Sequence, residues 1–416
     1  MPLPACFPRL AAGKLDRMTG ADLRLLYLSN AFPPGVTGRF PSLNPAGHAT
    51  ETRTAEALSK RARFSTVGLL PGEVFGHLEP RDESFGLDHE LVLWDRQPEL
   101  WHRWRSWRQL RRFYQRKLAG NERLDAVLVR NLTPVFNTFV RWLRGQQQRP
   151  LLVLILADSS TLGERVGWSR RLRYALKPMQ MLDEQAIQWY DACISFGLGT
   201  RRYFEPRGVP WLWMPSAFNF RYDPPAPMAE QSGPIGFGYF GALAEHAAVM
   251  PMVQGFLDSG VPGTLRVCGY GKLAGKLQEM ASRHPNFRFD GLLPNQRDCL
   301  DWAQQVDVLI NPRLPIWGLD NSFPSKIFEF AMTGKAILST RTGGVDRVLG
   351  DAALYIETDE FERALSRKLR EVAALERAEL GRRGAALRAR VLEEYNWDRQ
   401  AERMIEFLTP LARSVS

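Results

Sequence analysis

The feature that most limits what this chain can fold into is a rhythm: short apolar, β-rich runs alternate with longer helical stretches along nearly its whole length. Parallel strands need crossovers long enough to hold a helix, so this rhythm predicts α/β domains whose parallel sheets are covered on both faces. In the first half the expected strands are Leu23–Ser29, Phe64–Leu70, Leu91–Trp94, Ala126–Val129, Leu151–Ala157 and Ala192–Phe196, with helical stretches at His48–Ala62, Pro98–Ala119 and Pro134–Arg144. A polar, proline-rich segment, RYDPPAPMAEQSGP, then interrupts the pattern. It restarts with Ile235–Phe240, Thr264–Cys268, Phe287–Phe289, Val306–Ile310, Ala336–Ser339 and Ala353–Ile356, and closes in charged helices from about Glu360.

A length of 416 residues suits two cores of roughly 200 residues each. The expected division is a loose leader over 1–20, a first domain over 21–220, a linker over 221–234 and a second domain over 235–395. A closing helix over 396–416 would be placed to pack back on the first domain. No apolar run approaches the ~18 residues of a membrane span, and the N-terminus lacks the apolar stretch of a signal peptide. Cys6, Cys193, Cys268 and Cys299 are scattered without a CxxC pair, and the six histidines make no HExxH spacing. A reduced, cytoplasmic chain without a metal site is the expectation.

Charge is unevenly divided. Residues 1–216 hold 31 Lys+Arg against 20 Asp+Glu, whereas residues 217–416 hold 24 against 25. The basic excess therefore belongs to the first half and implies an anionic partner there.

The densest motif runs from Gly318 to Thr340. Asp320, Asn321 and Ser322 are helix-capping types and Pro324 suits a first helical turn, so a helix is expected to open here and end at Gly334. Backbone N–H groups near Ser325 and Lys326 would then form an anion site suited to a diphosphate. Glu329, three residues past Lys326, could accept two ribose hydroxyls. The bland reading of the same residues is an ordinary capped helix with a surface glutamate. Gly269-Tyr-Gly271 suggests a dinucleotide turn, but its spacing is GxGxxxG rather than GxGxxG, and no GxxxxGK[ST] occurs.

This segment resembles the nucleotide-sugar motif of GT-B glycosyltransferases with the group 1 C-terminal domain. Gly238-Tyr-Phe-Gly-Ala-Leu, Val267-Cys-Gly-Tyr-Gly-Lys272, the strand from Trp302 to Pro312 and Glu394-Tyr-Asn-Trp-Asp398 resemble the family's flanking segments in the same order. The resemblance covers about residues 235–408 and implies an α/β, GT-B fold: two Rossmann-like doubly wound domains facing across a cleft. It further implies transfer of a sugar, of hexosyltransferase type, from a nucleotide diphosphate sugar to an acceptor hydroxyl on a glycan or lipid-linked acceptor. Bacterial polysaccharide or glycolipid assembly is the implied setting, with retained configuration favoured and neither metal nor cofactor required. Carried over by position, the donor contacts are Glu329, Lys326, Ser325, Asn321, Lys272 and Gly271. Two departures stand out. The first position of the family's Glu-x7-Glu falls on Asn321, and its Arg and Lys after the first donor strand fall near Ala242 and Ala248. Both departures suit a rival reading, a catalytically silent GT-B scaffold of a glycan assembly complex.

On the acceptor side, the loop after Leu23–Ser29 runs through Asn30-Ala-Phe-Pro-Pro-Gly to Gly47-His48. The resemblance places this loop at the cleft, with Gly47 on a phosphate or acceptor and His48 as a catalytic candidate; a lone loop histidine can equally be bland. Asp158 closes the run Leu151–Ala157, where a carboxylate could take a proton from an acceptor hydroxyl or merely cap the next turn.

Pro98–Ala119 interleaves Trp with Arg. On a 100° wheel Leu100, Trp104, Trp107, Leu110, Tyr114 and Leu118 share one arc, with Arg105, Arg108, Arg112 and Arg116 opposite. One reading is a core-packed helix with a solvated basic face. The other is a peripheral contact with the anionic inner face of the plasma membrane through Trp104, Trp107, Arg105, Arg108 and Arg112. No nucleic-acid-binding module accompanies it, so a nucleic-acid partner is not expected.

Overall fold

The computed structural model describes residues 22–30, 45–71, 89–95, 99–157, 185–219, 221–225, 233–315 and 321–415. The first domain runs β1 (Arg24–Ser29), α1 (Pro45–Ser59), β2 (Arg63–Pro71), β3 (His89–Asp95), α2 (Glu99–Ala119), β4 (Ala126–Arg130), α3 (Pro134–Arg144), β5 (Leu151–Leu156), β6 (Ala192–Ser195), the single turn α4 (Arg201–Phe204) and β7 (Trp211–Trp213). Its seven strands among the described residues are all parallel, in the order β3-β2-β1-β4-β5-β6-β7. β1 lies centrally, with Leu25 paired to Phe64 on β2 and to Ala126 on β4. Successive side chains serve opposite faces. Leu25, Tyr27, Leu128, Val153 and Ile155 join a core continuous with that of the second domain, while Leu26, Leu28, Val127, Val129 and Leu154 build a separate core on the other face.

The second domain runs β8 (Phe237–Ala242), α5 (Val249–Ser259), β9 (Leu265–Tyr270), α6 (Ala274–Arg283), β10 (Phe287–Phe289), α7 (Gln296–Trp302), β11 (Val308–Asn311), α8 (Lys326–Met332), β12 (Ala336–Ser339), α9 (Val345–Leu349), β13 (Leu354–Tyr355), α10 (Phe361–Ala373) and α11 (Arg377–Glu394). Six parallel strands take the order β10-β9-β8-β11-β12-β13. In both sheets the first strand is central and the order reverses beside it. Ligands of doubly wound sheets bind outside the carboxyl ends of the strands at this reversal, here β1/β4 and β8/β11.

The final helix, α12 (Trp397–Val415), leaves the second domain and lies on the first. Arg61, just past α1, donates to Asp398 and to Glu402, each at 3.0 Å, and Arg403 donates to the Trp213 carbonyl at 2.9 Å. The domains also meet beyond β6. A Cβ at Gly197 would fall 2.0 Å from the backbone C and O of Asn321, so only glycine permits this approach. Trp213 packs edge-on against Phe323 with centroids 6.5 Å apart.

Three sequence expectations need correction. α1 opens at Pro45 rather than at the expected His48, which draws Gly47 out of the preceding loop into the helix's first turn. The helix expected to be capped near Asp320–Ser322 begins instead at Lys326, is seven residues long and has no side-chain cap. Helix α2 is rotated about 80° from the face its apolar residues suggested on a 100° wheel. His102, Arg103 and Ser106 turn inward with Leu110, Phe113 and Tyr114, Trp107 is half-buried, and Trp101, Trp104 and Leu118 are exposed.

Candidate functional site

At the β8/β11 reversal, β8 ends in Gly241 and Ala242. The Lys326 side chain runs over Gly241, so close that a Cβ there would fall 2.9 Å from Lys326 Cδ. Its ammonium lies 5.1 Å from the centre of the Phe240 ring and donates to Glu329 Oε2 at 3.1 Å. α8 thus delivers a cation and a carboxylate, one turn apart, to the carboxyl end of the central strand. Both side chains remain partly exposed. Lys326 has further N–H donors and Glu329 a second oxygen beyond their mutual bond.

The remaining donor-side expectations divide. Ser325 is exposed, but its N–H donates to the Phe323 carbonyl at 2.9 Å, so this backbone donor is not free for an anion. Asn321 is fully buried at the contact between domains, and its Oδ1 accepts from Arg202 of the first domain at 3.3 Å. Gly271 and Lys272 are exposed just past β9. Gly269 and Gly271, at φ 150° and 148°, let that strand's end abut the β8 turn: a Cβ would fall 1.8 Å from the Gly241 oxygen or 2.4 Å from the Leu243 oxygen. Close backbone packing therefore accounts for this glycine pair. Ala242 and Ala248 leave no cation at the positions where the family carries Arg and Lys, and Ala248 is buried.

On the donor side, sequence reasoning missed two groups. Arg313, two residues beyond β11, donates to Ser322 Oγ at 2.7 Å and places a guanidinium at the same reversal. Cys268 on β9 and Cys299 on α7 are neighbours near Lys326, and the Cys299 thiol is lowered by the adjacent Cys268 and by the ammonium.

At the β1/β4 reversal of the first domain stand Asn30, Arg130 and Glu51. Arg130 is buried at the end of β4; its Nε is 3.8 Å from Glu51 Oε1, and its guanidinium lies 4.7 Å from the centre of the Phe196 ring. Glu51 Oε2 accepts the Asn30 N–H at 2.6 Å. Burial raises the Glu51 carboxyl above its usual range, against the pull of Arg130 and the Asn30 bond. Burial likewise raises the Tyr27 hydroxyl beside them. The signal in the sequence was slight: a charged residue closing an otherwise apolar strand. Asp158 lies outside the described residues, as does the His48 side chain.

Comparison with known proteins agrees with this architecture. The family described as "Glycosyl transferase-like" matches residues 262–406. Among solved structures, a lipopolysaccharide outer core galactosyltransferase, WaaB, superposes with a TM-score of 0.62 at 12% identity, covering 94% of this chain and 100% of its own. A sucrose-phosphate synthase from Thermosynechococcus elongatus gives 0.61 at 12% identity, covering 94% and 100%. A glycosyltransferase from Rickettsia africae gives 0.62 at 10%, covering 94% and 98%. A search of curated proteins finds no match. With both sheets wound as Rossmann folds, the chain has the two-domain GT-B fold, and a glycosyl transferase-like family model matches most of its second domain.

Proposed function

We propose that the chain is a glycosyltransferase that moves a hexosyl group from a nucleotide diphosphate sugar to an acceptor hydroxyl. The observation that carries this reading is the Lys326–Glu329 pair at the carboxyl end of β8, in the domain that matches a glycosyl transferase-like family. In the transfer, the bond from the anomeric carbon to the diphosphate breaks and a bond to the acceptor oxygen forms, while the acceptor loses its proton. Negative charge then grows on the departing diphosphate, where a fixed cation lowers the barrier most. Lys326 would take that role, with Lys272 as a second cation, and Glu329 would turn its second oxygen to the ribose. No metal or cofactor is part of this proposal. Asp158 and His48 are the proposed groups for orienting and deprotonating the acceptor, and retained configuration follows the family resemblance. The acceptor proposed is a glycan or lipid-linked hydroxyl in bacterial polysaccharide or glycolipid assembly at the inner membrane face.

Calorimetry with a nucleoside diphosphate and its parent nucleoside tests the site. Lys326→Ala should weaken the diphosphate far more than the nucleoside, and Glu329→Ala should weaken both by about 1.5–3 kcal/mol, the range for hydrogen bonds to a charged group. Unchanged diphosphate affinity in both variants would overturn the assignment. The buried Asn321 favours a second reading, a silent scaffold. Intact nucleotide binding without turnover of any nucleotide sugar would select it.

A further inference from the structure

We infer that the outer face of α2 is a docking surface for an anionic phospholipid bilayer, with Trp101 and Trp104 as the inserting residues. Both indoles are exposed, Trp101 at 57% and Trp104 at 43%, and they touch each other with centroids 5.1 Å apart. A pair of tryptophans held in water on a helix whose other face is fully packed is an apolar patch in need of cover. Around it stand the exposed Arg105, Arg108, Arg112 and Arg116. On a wheel of 100° per residue, these six side chains share about 120° of the helix surface. No Asp or Glu occurs between residues 101 and 119; the one acid of α2, Glu99, is its first residue.

Indoles set among guanidiniums match the depth profile of a bilayer surface, where rings sit at headgroup level and cations meet lipid phosphates. A single-stranded nucleic acid would need open ring faces for its bases. Arg108 already lies 4.6 Å from the centre of the Trp104 ring, which Trp101 also contacts, so that platform is occupied. Trp107 is excluded from the surface: Arg111 covers its ring, and the ring packs against the first-domain core. Connectivity adds an orientation. α2 follows β3, so its first turns, with Trp101 and Trp104, stand at the carboxyl ends of the first sheet. This is the end where Asn30, Glu51 and Arg130 meet. Docking through these tryptophans would hold the ligand end of the first domain toward the lipid.

Vesicle flotation of the full chain, with phosphatidylcholine alone or with added phosphatidylglycerol, tests the inference without reference to sugar transfer. Wild-type protein should float only with the anionic lipid, and a fraction should resist release by salt. Arg105→Gln/Arg108→Gln/Arg112→Gln should lower vesicle affinity about a hundredfold, from roughly tenfold or less per lost cation near the surface. Trp101→Ala/Trp104→Ala should keep binding at low salt but lose the salt-resistant fraction, since burial of the indoles is not screened. Thermal melts check that each exposed-face variant is folded. Absence of wild-type binding to anionic vesicles, or unchanged binding by the arginine variant, would overturn the inference. So would tighter binding of a single-stranded oligonucleotide than of vesicles, lost in the same variants.

Discussion

Arg130 and Glu51 are two ionisable groups that the fold has taken almost wholly out of water, with Arg130 Nε 3.8 Å from Glu51 Oε1. Glu51→Gln keeps an acceptor for the Asn30 N–H but cannot ionise, so denaturant titrations of wild type and variant across pH isolate this group. The pH dependence has a definite sign. Because burial raises the Glu51 carboxyl in the folded protein, the native state binds this proton more tightly than the unfolded chain does. Its contribution to stability should be fully present below the ordinary carboxylate range and decline as pH rises through the raised folded value. The Gln variant should lack that slope. Wild-type and variant curves that run parallel would contradict the assignment. This pair was hardly legible in the sequence, since nothing local links a helix residue to one closing a distant strand. Lys326 and Glu329 were legible, because a spacing of three on a helix brings side chains together whatever the surrounding fold.

At the scale of elements, helix α3 was legible to the residue because Pro134 sits at its first position after Thr133 and Gly145 ends it. β7 was missed: three residues containing two tryptophans, all half-buried, carry too little pattern to read as a strand. α2 was found within one residue, but its apolar arc divides, with Trp104 and Leu118 outward and Leu110 and Tyr114 inward, since tryptophan tolerates water at its polar edge. α12 offers a quantitative contrast. Leu408 is fully buried, so Leu408→Ala should cost about 2–5 kcal/mol through lost packing and a cavity. Arg61→Ala, which removes two partly exposed ion pairs to the same helix, should cost at most about 1 kcal/mol per pair. Denaturant titrations of the two variants check the order, and a larger loss in the arginine variant would reverse the ranking of packing over surface charge.

For the whole molecule, the two-sheet plan could be read directly from the alternation of strands and helices. The contact between domains could not, since Gly197 and Asn321 carry no sign that their backbones touch. Gly197→Ala should force that contact apart while leaving both sheets intact. Small-angle scattering should show a larger radius of gyration with unchanged circular dichroism; an unchanged radius would mean the neighbouring backbone absorbs the methyl group. How such an opening proceeds is set by the chain's two passages between domains. The outgoing segment and the return into α12 lie side by side: the Phe218 N–H donates to the Tyr395 carbonyl at 3.1 Å, and the Trp397 indole donates to Asn219 Oδ1 at 2.9 Å. A lone linker would act as a swivel and allow the domains to tumble independently. Two bonded passages act as the knuckles of one hinge, confining relative motion to rotation about a line beside Phe218 and Tyr395. Any ligand that closes or opens the molecule then works as a lever about that line, with a torque that grows with its distance from it.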